Sequence, residues 1–420
     1  MPEGRGTTPL SLYPRILSSL PPHRGGRGQG WGGLPAAPLP SSGRARILAG
    51  VTIDDRPSTW IEVDTSVLTS NVRALSRLVG VPVMAVVKAN AYGHGLTLVG
   101  RAVERAGAAW IGVARSEEGL ELKRAGVGLP ILVLGLTPAG QLAEAVAGDL
   151  ALTFWSADQI DAAAEAASRS GRPAHLHLKV DTGMGRLGAA PEEAQGLAER
   201  VSRHKGLVLD GVYTHFARAD EPDPEPTRAQ ERVFREVLVA LEASGRRPDL
   251  IHATNSAAAI AHPSTRFNLV RAGVAIYGLH PSSTCRLPAE FQPALSWKSQ
   301  LSQVKTVAAG HGLSYGHAYT TRGVERIGTV PVGYADGLRR TDGNEVLVGG
   351  RRVPVVGRVC MDQILVRLDG GAASQAGDEV VVMGAQGSVR ITAEEVAQRW
   401  GTINYEVTCG LSARVPRVEV

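Results

Sequence analysis

Short apolar runs recur between amphipathic segments over the first two thirds of the chain. After a short strand predicted at 60–64, eight apolar runs of five to nine residues follow at intervals of roughly 20 to 40 residues, at 81–87, 109–114, 131–135, 151–155, 174–180, 207–215, 250–254 and 267–273. Most of them do not alternate with polar residues, which is typical of parallel strands covered by helices.

Amphipathic segments with apolar residues at helical spacing separate these runs. They predict helices at 66–79, 97–106, 116–125, 138–147, 157–170, 191–203 and 227–244. Asp64 or Thr65 can cap the first of them. Eight strand–helix units over about 230 residues predict a (β/α)8 barrel. An open dinucleotide-binding sheet is less consistent with the sequence, because no GxGxxG follows the first strand.

The pattern changes after about residue 285. Strand-like stretches separated by glycine turns dominate there, at 301–308, 326–333, 346–348, 353–368 and 379–383. One helix is predicted at 392–400, where Thr392 is a cap and Glu395 completes a capping box. We therefore predict an α/β protein with an N-terminal TIM-type barrel at 56–285 and a C-terminal, mostly antiparallel β-domain at 286–420.

Residues 1–55 differ in composition from the rest of the chain. They are rich in Gly, Pro and Ser and show no apolar period, so they cannot bury enough surface to offset the entropy of ordering. We predict that this segment is disordered. Its composition resembles a transit peptide, but it contains no amphipathic helix and no apolar signal-peptide core. A dispensable extension, or a start codon placed too early, is the preferred interpretation.

Charge and cysteine content narrow the class of protein. The first 50 residues contain six arginines and one glutamate, so they carry the whole formal net charge of +5. A nucleic-acid partner is therefore rejected for the folded part. No apolar run approaches the length that a membrane span requires. The three cysteines, Cys285, Cys360 and Cys409, are widely spaced, which argues against a disulfide framework or a zinc site and favours a reducing, cytoplasmic setting.

Lys88 stands at the end of the first apolar run of the predicted barrel. Burial there disfavours the ammonium form and lowers the pKa, which suits an amine needed in its neutral, nucleophilic form. The chain has six lysines among its 45 basic residues, and only Lys88 and Lys179 end candidate buried strands. Arginine cannot replace an amine in such chemistry, because it stays protonated. From position alone, a snorkelling or paired lysine remains the alternative.

Polar residues also follow the later strands, and in a barrel the carboxyl ends of the strands form the active site. The residues at these ends include Lys88, Tyr92, Lys179, Arg186, His215, His252, Ser256 and Arg271. An amine, hydroxyl groups, two arginines and backbone N–H groups near glycines suit a phosphorylated carbonyl cofactor held as a Schiff base. His252 is expected to be structural rather than catalytic.

Eight motifs in this sequence resemble alanine racemase. They are residues 86–95 (VVKANAYGHG), 179–186 (KVDTGMGR), 252–256 (HATNS), 271–278 (RAGVAIYG), 313–317 (LSYGH), 333–337 (GYADG), 357–362 (GRVCMD) and 403–406 (INYE). They follow the family's order and spacing over about residues 57–420. The resemblance implies a pyridoxal 5'-phosphate enzyme that interconverts L- and D-alanine and supplies D-alanine for peptidoglycan. It also implies a head-to-tail homodimer with two shared active sites.

The resemblance further implies how the proton is moved. Lys88 would hold the cofactor covalently and, once displaced by the substrate, act as the base on one face of the substrate Cα. Tyr315 of the partner subunit would act on the opposite face. Racemisation needs groups on both faces, or one mobile group, because the proton removed from one side returns on the other. His215 and Arg271 would stand behind that tyrosine in a hydrogen-bonded chain. Arg271 would also face the pyridine nitrogen and, by keeping its own proton, favour return of the proton to Cα over transamination.

The resemblance implies that the other matching residues bind anionic groups or shape the entrance to the active site. The cofactor phosphate would be bound by Tyr92, Ser256, Gly273, Val274 and Tyr405. The substrate carboxylate would be bound by Arg186 and by the backbone N–H of Met361 of the partner subunit. Tyr334 and Tyr405 would narrow the entrance and favour a methyl side chain. Lys179 stands seven residues before Arg186, as in family members whose corresponding lysine is carbamylated and positions the arginine.

Three other functions remain open from the sequence. A racemase for serine or another small amino acid would keep all these motifs and differ only at the entrance, although Lys179 favours the alanine enzyme. A pyridoxal-phosphate decarboxylase of similar plan should have an acidic partner for the pyridine nitrogen, and Arg271 speaks against it. A non-catalytic pyridoxal-phosphate carrier would need only the barrel, and the β-domain bearing Tyr315 argues against that.

Overall fold

The computed structural model describes residues 46–48, 51–53, 57–368 and 374–420. The first two stretches form an antiparallel pair of short strands, β1 (Arg46–Leu48) and β2 (Val51–Ile53). The rest of the extension predicted to be disordered lies outside the described residues, so its disorder stays a prediction. Residues 57–420 form a second unit. Its first strand, β3 (Thr59–Val63), does not join the barrel.

Eight parallel strands form the barrel, as the sequence predicted. Each strand pairs with the next along the chain over the first seven, and the eighth pairs with the first. The strands are β4 (Val83–Val86), β5 (Trp110–Val113), β6 (Ile131–Val133), β7 (Leu150–Phe154), β8 (Ala174–Lys179), β9 (Leu207–Tyr213), β10 (Leu250–His252) and β11 (Val270–Ala272).

Irregular hydrogen bonds close the barrel between β10 and β11. The N–H of Arg271 donates to the carbonyl of Thr254 at 3.0 Å, and the N–H of Asn268 donates to that of Ile251 at 3.4 Å. The Asn268 side chain in turn accepts from the N–H of Ile251 at 2.7 Å. Because these bonds lie outside the regular ladder, the last two strands are shorter than the apolar runs predicted for them.

Helices lie between successive strands, and the longer ones cover the outside of the barrel. They are α1 (Thr65–Val79), α2 (Lys88–Tyr92), α3 (Leu96–Ala106), α4 (Ser116–Arg124), α5 (Ala139–Ala147), α6 (Ala157–Ser170), α7 (Ala194–Ser202), α8 (Glu225–Ala243) and α9 (Ser256–Ala261). Asp64 caps α1 by accepting from the N–H groups of Ser66 and Val67. The sequence did not predict α2 or α9, because both are too short to show a helical period.

The remaining strands form a second, mostly antiparallel sheet and a separate small hairpin. They are β12 (Leu295–Gln300), β13 (Gln303–Val307), β14 (Gly312–Leu313), β15 (Tyr319–Thr320), β16 (Glu325–Val330), β17 (Glu345–Val348), β18 (Arg351–Val356), β19 (Ile364–Arg367), β20 (Glu379–Gln386), β21 (Val389–Ile391) and β22 (Arg417–Glu419). The sheet has the order β13-β16-β19-β18-β17-β20-β12-β3-β22, and β21 pairs with β20.

Several details of this second part differ from the prediction. The strands β12, β14, β15, β21 and β22 were not predicted. The strand predicted at 353–368 is two strands, β18 and β19, separated by the loop that carries Met361. Two α-helices rather than one lie among the described residues after 285, α10 (Ala393–Trp400) and α11 (Asn404–Cys409). Thr392 caps α10 as predicted, accepting from the N–H of Glu395 at 3.2 Å. We retain a domain boundary near residue 285 as a proposal. Among the described residues, no helix combines the length and apolar character needed to cross a bilayer.

Candidate active site

A cavity of about 1350 Å³ opens at the carboxyl ends of the barrel strands. Residues predicted to form the site line it together: Lys88, Tyr92, Lys179, Arg186, His215, Ser256, Arg271, Gly273, Val274 and Tyr405. Most of them follow barrel strands that are far apart in the sequence, and Tyr405 comes from α11. They meet because the carboxyl ends of parallel strands share one face of a barrel.

A left-handed turn follows Lys88 directly. Ala89, Asn90, Ala91 and Tyr92 have φ angles of 55°, 52°, 53° and 53°. Non-glycine residues cost roughly 1 kcal/mol or more each in this region, so such a turn persists only where its surroundings hold it. The turn places Lys88 and Tyr92 four residues apart, and both line the cavity. The surroundings of Lys88 therefore hold this turn in a strained conformation.

Burial lowers the pKa of Lys88, and the positive charge of Arg186 lowers it further. Arg271 acts in the same direction, whereas the carboxylate of Glu118 raises the pKa. The amine is therefore more easily neutral than a free lysine, which a nucleophile or a general base requires. This is the property that the position of Lys88 at the end of a buried strand had suggested.

The Arg271 guanidinium is buried and has no carboxylate partner within the described part of the chain. Its Nη1 donates to Nδ1 and to the carbonyl of His252, both at 2.9 Å. Its Nη2 donates to Nδ1 of His215 at 3.1 Å and to the carbonyls of Thr214 and Ala253 at 2.8 and 2.9 Å. Burial lowers the pKa of Arg271 to about 10, so it stays protonated at neutral pH. Its Nε–H has no partner among residues 57–368 and 374–420 and is available to a ligand.

These donors fix the tautomers of the neighbouring histidines. A guanidinium can only donate, so Nδ1 of His215 and of His252 must accept, and the ring protons lie on Nε2. Nε2 of His252 then donates to Nδ1 of His177 at 3.0 Å. Burial lowers the pKa of all three rings, that of His177 to about 3. Arg271 is thus flanked by neutral imidazoles, and His215 keeps an Nε2–H for a further partner.

Neutral hydroxyl groups also line the cavity. Ser256 Oγ accepts from the N–H of Gly273 at 3.0 Å, which leaves the Ser256 proton free to be donated. Burial raises the pKa of Tyr92 and of Tyr405, so both are protonated donors at neutral pH. A Cβ on Gly273 would lie 2.2 Å from the Tyr92 hydroxyl oxygen, so only glycine allows this approach. The Tyr405 hydroxyl donates to the carbonyl of Pro281 over 3.5 Å. Hydroxyl donors in this arrangement can bind an anionic oxygen group.

Lys179 lies near the other cations of the cavity. Burial, with smaller contributions from Arg186 and Arg271, lowers its pKa to about 8. The carboxylate of Asp181 opposes this shift, but its Oδ1 already accepts from the N–H groups of residues 183–185 at 2.8–3.1 Å. Positive charge is therefore in excess around Lys88, and this part of the cavity suits an anionic ligand.

Three predicted site residues do not line this cavity. They belong to the part of the chain that forms the second sheet. The exposed fractions of Tyr315, Tyr334 and Met361 are 70%, 45% and 54%. The loops that carry Tyr315 and Met361 are tied together, because Ser314 Oγ donates to the carbonyl of Arg358 at 2.9 Å. We call the surface formed by Tyr315, Tyr334 and Met361 the tyrosine face. Within one chain it does not contribute to the cavity.

Sequence reasoning missed two residues behind the site, His177 and Glu118. His177 stands two positions before Lys179 on β8 and so shares its side of the strand, which was a usable signal. Glu118 accepts from the N–H of Ala89 at 2.7 Å, and nothing in the sequence around Glu118 indicated that contact. His252 was expected to be structural, and its hydrogen bond to Arg271 gives it a defined position.

The fold and the cavity together define the class of protein. Enzymes with this kind of barrel act at the carboxyl ends of its strands. An amine with a lowered pKa, a buried arginine and neutral hydroxyl donors in one cleft are the groups of a catalytic site for a small anionic substrate. The chain is therefore a barrel enzyme with an attached β-sheet domain.

Comparison with known proteins identifies the family. The family model "Alanine racemase, N-terminal domain" matches residues 63–281, and "Alanine racemase, C-terminal domain" matches residues 294–419. The chain belongs to the alanine racemase family and is an isomerase of that family. The family and the fold class predicted from the sequence are thereby confirmed.

Individual relatives match over most of this chain. The alanine racemase of Symbiobacterium thermophilum is 45% identical over 368 residues, which is 87% of this chain and 98% of that protein. Among solved structures, alanine racemase from D-cycloserine producing Streptomyces lavendulae has a TM-score of 0.83 at 40% identity, covering 87% of this chain and 98% of that one. The structure of alanine racemase from Bacillus anthracis with bound L-Ala-P has a TM-score of 0.82 at 41% identity. It covers 87% of this chain and 95% of that one.

Proposed function

We propose that this chain interconverts L- and D-alanine by proton transfer at Cα, with Lys88 on one face of the substrate and Tyr315 of a second subunit on the other. The observation that carries the proposal is the meeting of Lys88, Arg186 and Arg271 in one cavity of an alanine racemase family member. A cytoplasmic location and a supply of D-alanine for peptidoglycan belong to the same proposal.

The residues of the cavity fit pyridoxal 5'-phosphate. Lys88 would hold the aldehyde carbon covalently, and the free Nε–H of Arg271 would donate to the ring nitrogen. The phosphate would be bound by the hydroxyls of Tyr92, Ser256 and Tyr405 and by the backbone at Gly273 and Val274. The absence of a Cβ at Gly273 keeps that end of the cavity open beside Tyr92. When bound, the group supplies an electron sink that acidifies the proton on the substrate Cα.

Once the substrate amino group has displaced it from the cofactor, the free Lys88 amine would take the proton on one face of the substrate, or return it there in the reverse direction. A general base works best when its pKa lies near the working pH, and burial together with Arg186 moves the amine in that direction. The same amine then carries a proton that it can deliver in the reverse reaction. A group on one face moves the proton on that face only, so racemisation needs a second group on the other face.

Tyr315 would act on the opposite face, and a second subunit is its source. The side chain is exposed in its own chain and is absent from the lining of the cavity there. A head-to-tail homodimer would bring the tyrosine face of each subunit to the cavity of the other. A tyrosine is a weak acid with a reference pKa near 10, so its phenolate needs stabilisation. The Nε2–H of His215 can supply it, because Arg271 holds the opposite ring nitrogen as an acceptor.

Arg271 would direct the outcome toward racemisation. A guanidinium that stays protonated cannot transfer its proton to the ring nitrogen, so negative charge spreads less into the ring. Proton return to Cα is then favoured over transamination. The acceptors around Arg271 in the described residues are imidazoles and carbonyls rather than carboxylates, which speaks against a decarboxylase.

Arg186 and the entrance would select the substrate. Arg186 lines the cavity and would bind the substrate carboxylate together with the backbone N–H of Met361 from the second subunit. Tyr405, and Tyr334 of the tyrosine face, would limit the space for the substrate side chain to about a methyl group. A serine racemase would use the same groups, so the choice between the two substrates depends on measured turnover.

The proposed activity is tested with purified, cofactor-loaded protein in deuterated water. We expect L-alanine and D-alanine each to approach an equal mixture of enantiomers and to gain solvent deuterium at Cα. We expect kcat/KM for alanine to exceed that for serine by about tenfold or more, the usual discrimination of a small apolar pocket. Faster turnover of serine would support the alternative racemase, and turnover of neither amino acid would reject the proposal.

We also propose that Lys179 is carbamylated. Reaction with CO2 requires a neutral amine, and a pKa of about 8 makes that form accessible. The product carries a negative charge among Arg186, Arg271 and Lys88, where it would offset the excess of positive charge and hold Arg186 in place. Native mass spectrometry in bicarbonate buffer is expected to find one added CO2, located at Lys179 and missing from a Lys179→Ala variant. An unmodified Lys179 under these conditions would contradict the proposal.

A further inference from the structure

One carboxylate ties the left-handed turn after Lys88 to the neighbouring strand. Oε1 of Glu118 accepts from the N–H of Ala89 at 2.7 Å, across 29 residues of sequence. Oε2 of the same group accepts from the N–H groups of Ala114 and Arg115 at 2.8 and 3.2 Å. Glu118 therefore joins the end of β4 to the end of β5.

Capping of its own helix does not account for both oxygens of Glu118. A glutamate at the third position of a helix often accepts from the N–H of the capping residue, and Oε2 does so at Arg115. Oε1 is not needed for that cap and binds Ala89, the residue after Lys88. Ala89 has a φ of 55°, a conformation that requires support from its surroundings. The second oxygen thus holds the strained residue beside the lysine.

Other side chains hold the far end of the turn. Nδ1 of His94 lies 3.1 and 3.0 Å from the carbonyl oxygens of Ala91 and Tyr92. Nε of Arg417 donates to the carbonyl of Gly93 at 2.9 Å. Backbone bonds also close the turn, from the N–H of Ala91 to the carbonyl of Val87 at 2.8 Å and from the N–H of Gly93 to the carbonyl of Ala89 at 3.1 Å. Among these contacts, Glu118 is the group that binds the N–H of Ala89.

The charge of Glu118 also acts on the Lys88 amine. The charged groups that influence this amine are Arg186, Arg271, Lys179 and Glu118. The thiol of Cys409 is near as well, but burial raises its pKa, so it is neutral at neutral pH. Glu118 therefore supplies negative charge against three cations.

We propose that Glu118 is a positioning residue for Lys88: one oxygen fixes the turn that directs the lysine into the cavity, and its charge balances the arginines beside the amine. This inference rests on the proposed role of Lys88 as the residue that holds the cofactor. A base that must also return its proton needs some negative charge nearby, because cations alone would favour only its neutral form.

Two substitutions in the full-length protein separate the contact from the charge. Glu118→Asp keeps the charge near the N-terminus of α4, but its shorter side chain does not reach Ala89. Glu118→Gln keeps the length, removes the charge and leaves one acceptor oxygen, so the effect of the charge is the difference in Lys88 labelling between Glu118→Gln and Glu118→Asp. Glu117→Gln is the matched control, because Glu117 is the adjacent, exposed carboxylate and is bonded to Gln141 at 2.7 Å.

Two readouts are taken before any cofactor is added. Hydrogen exchange of the Ala89 amide is expected to be about tenfold faster in Glu118→Asp than in the control, because a charge-assisted hydrogen bond is lost. Lys88 labelling by acetic anhydride at neutral pH is expected to be roughly threefold faster in Glu118→Gln. Removing the negative charge lowers the pKa of the amine, so a larger fraction of it is neutral and reactive at neutral pH. The proposal would be overturned if both Glu118 variants gave the same exchange and labelling rates as the Glu117→Gln control.

A third readout separates this inference from the proposed function. Pyridoxal phosphate is added to each variant, the adduct is fixed with borohydride, and peptide masses locate it. Adduct formation at Lys88 that is about tenfold slower in Glu118→Asp supports the positioning role, and an unchanged rate overturns it. Failure to trap Lys88 in the unaltered protein would reject the proposed function, whereas exchange and labelling would still decide whether Glu118 positions Lys88.

Discussion

Replacing Lys88 with alanine is expected to lower the racemisation of alanine at least about a thousandfold, because covalent attachment and proton transfer on one face are lost together. Lys88→Arg is expected to be equally inactive. A guanidinium keeps the positive charge and much of the volume, but it stays protonated and does not attack a carbonyl carbon. The measurement is kcat for each enantiomer of alanine, taken with saturating pyridoxal phosphate.

Lys205→Ala provides the matched control for loss of a lysine, since Lys205 is exposed on the loop after α7 and is remote from the cavity lining. Its kcat is expected to equal that of the unaltered protein. Circular dichroism and the size of the assembly verify that the Lys88 variants are folded. A Lys88→Arg variant within tenfold of the unaltered protein would show that the charge is sufficient and would remove the covalent role proposed for Lys88.

The barrel was predictable because its strands are buried on both faces. Every residue of β4, β6 and β7 is buried, and the sequence shows each as an apolar run without polar alternation. The lengths of β10 and β11 were less predictable. Their apolar runs continue past the regular ladder, where the side chain of Asn268 and the carbonyl of Thr254 complete the closure.

The location of β3 could not be read from its local pattern. Its alternation indicates a strand, but its partners are β12 and β22, more than two hundred residues away. Lys298 on β12 forms ion pairs with the strands on both sides. Its amine lies 2.9 Å from a carboxylate oxygen of Glu62 on β3 and 3.1 Å from one of Glu379 on β20. Pairing of this kind depends on the whole sheet, which single-strand patterns do not encode.

Most of the cavity residues were predictable from their positions at strand ends, whereas Tyr405 was predicted only from the family resemblance. The conformation around Lys88 was not predictable. Ala89, Asn90 and Ala91 adopt positive φ angles that sequence reasoning assigns to glycine. Glu118 has the position of an ordinary capping-box residue at the start of α4, so its second contact is visible only in three dimensions. Strained turns and the groups that hold them leave little trace in local propensity.

A dimer that combines one Lys88→Ala subunit with one Tyr315→Phe subunit is expected to regain about half the turnover of the unaltered dimer. If each cavity takes its tyrosine from the other subunit, one cavity of this heterodimer carries both substitutions and the other carries neither. Each parent homodimer has two defective cavities and is expected to lose about a hundredfold or more, the usual contribution of a general acid or base. Recovery in the mixed dimer should therefore be large.

Two different affinity tags allow the heterodimer to be purified from co-expressing cells and compared with its parents. A heterodimer of unaltered and Lys88→Ala subunits, with one intact cavity, sets the reference value of one half. If a cavity used the tyrosine of its own chain, every cavity of the mixed dimer would keep one substitution, and the dimer would be as inactive as its parents. The geometry of the single chain argues against that outcome, because Tyr315 is exposed on the tyrosine face and does not line its own chain's cavity. The site at Lys88 is therefore expected to be complete only when two chains meet.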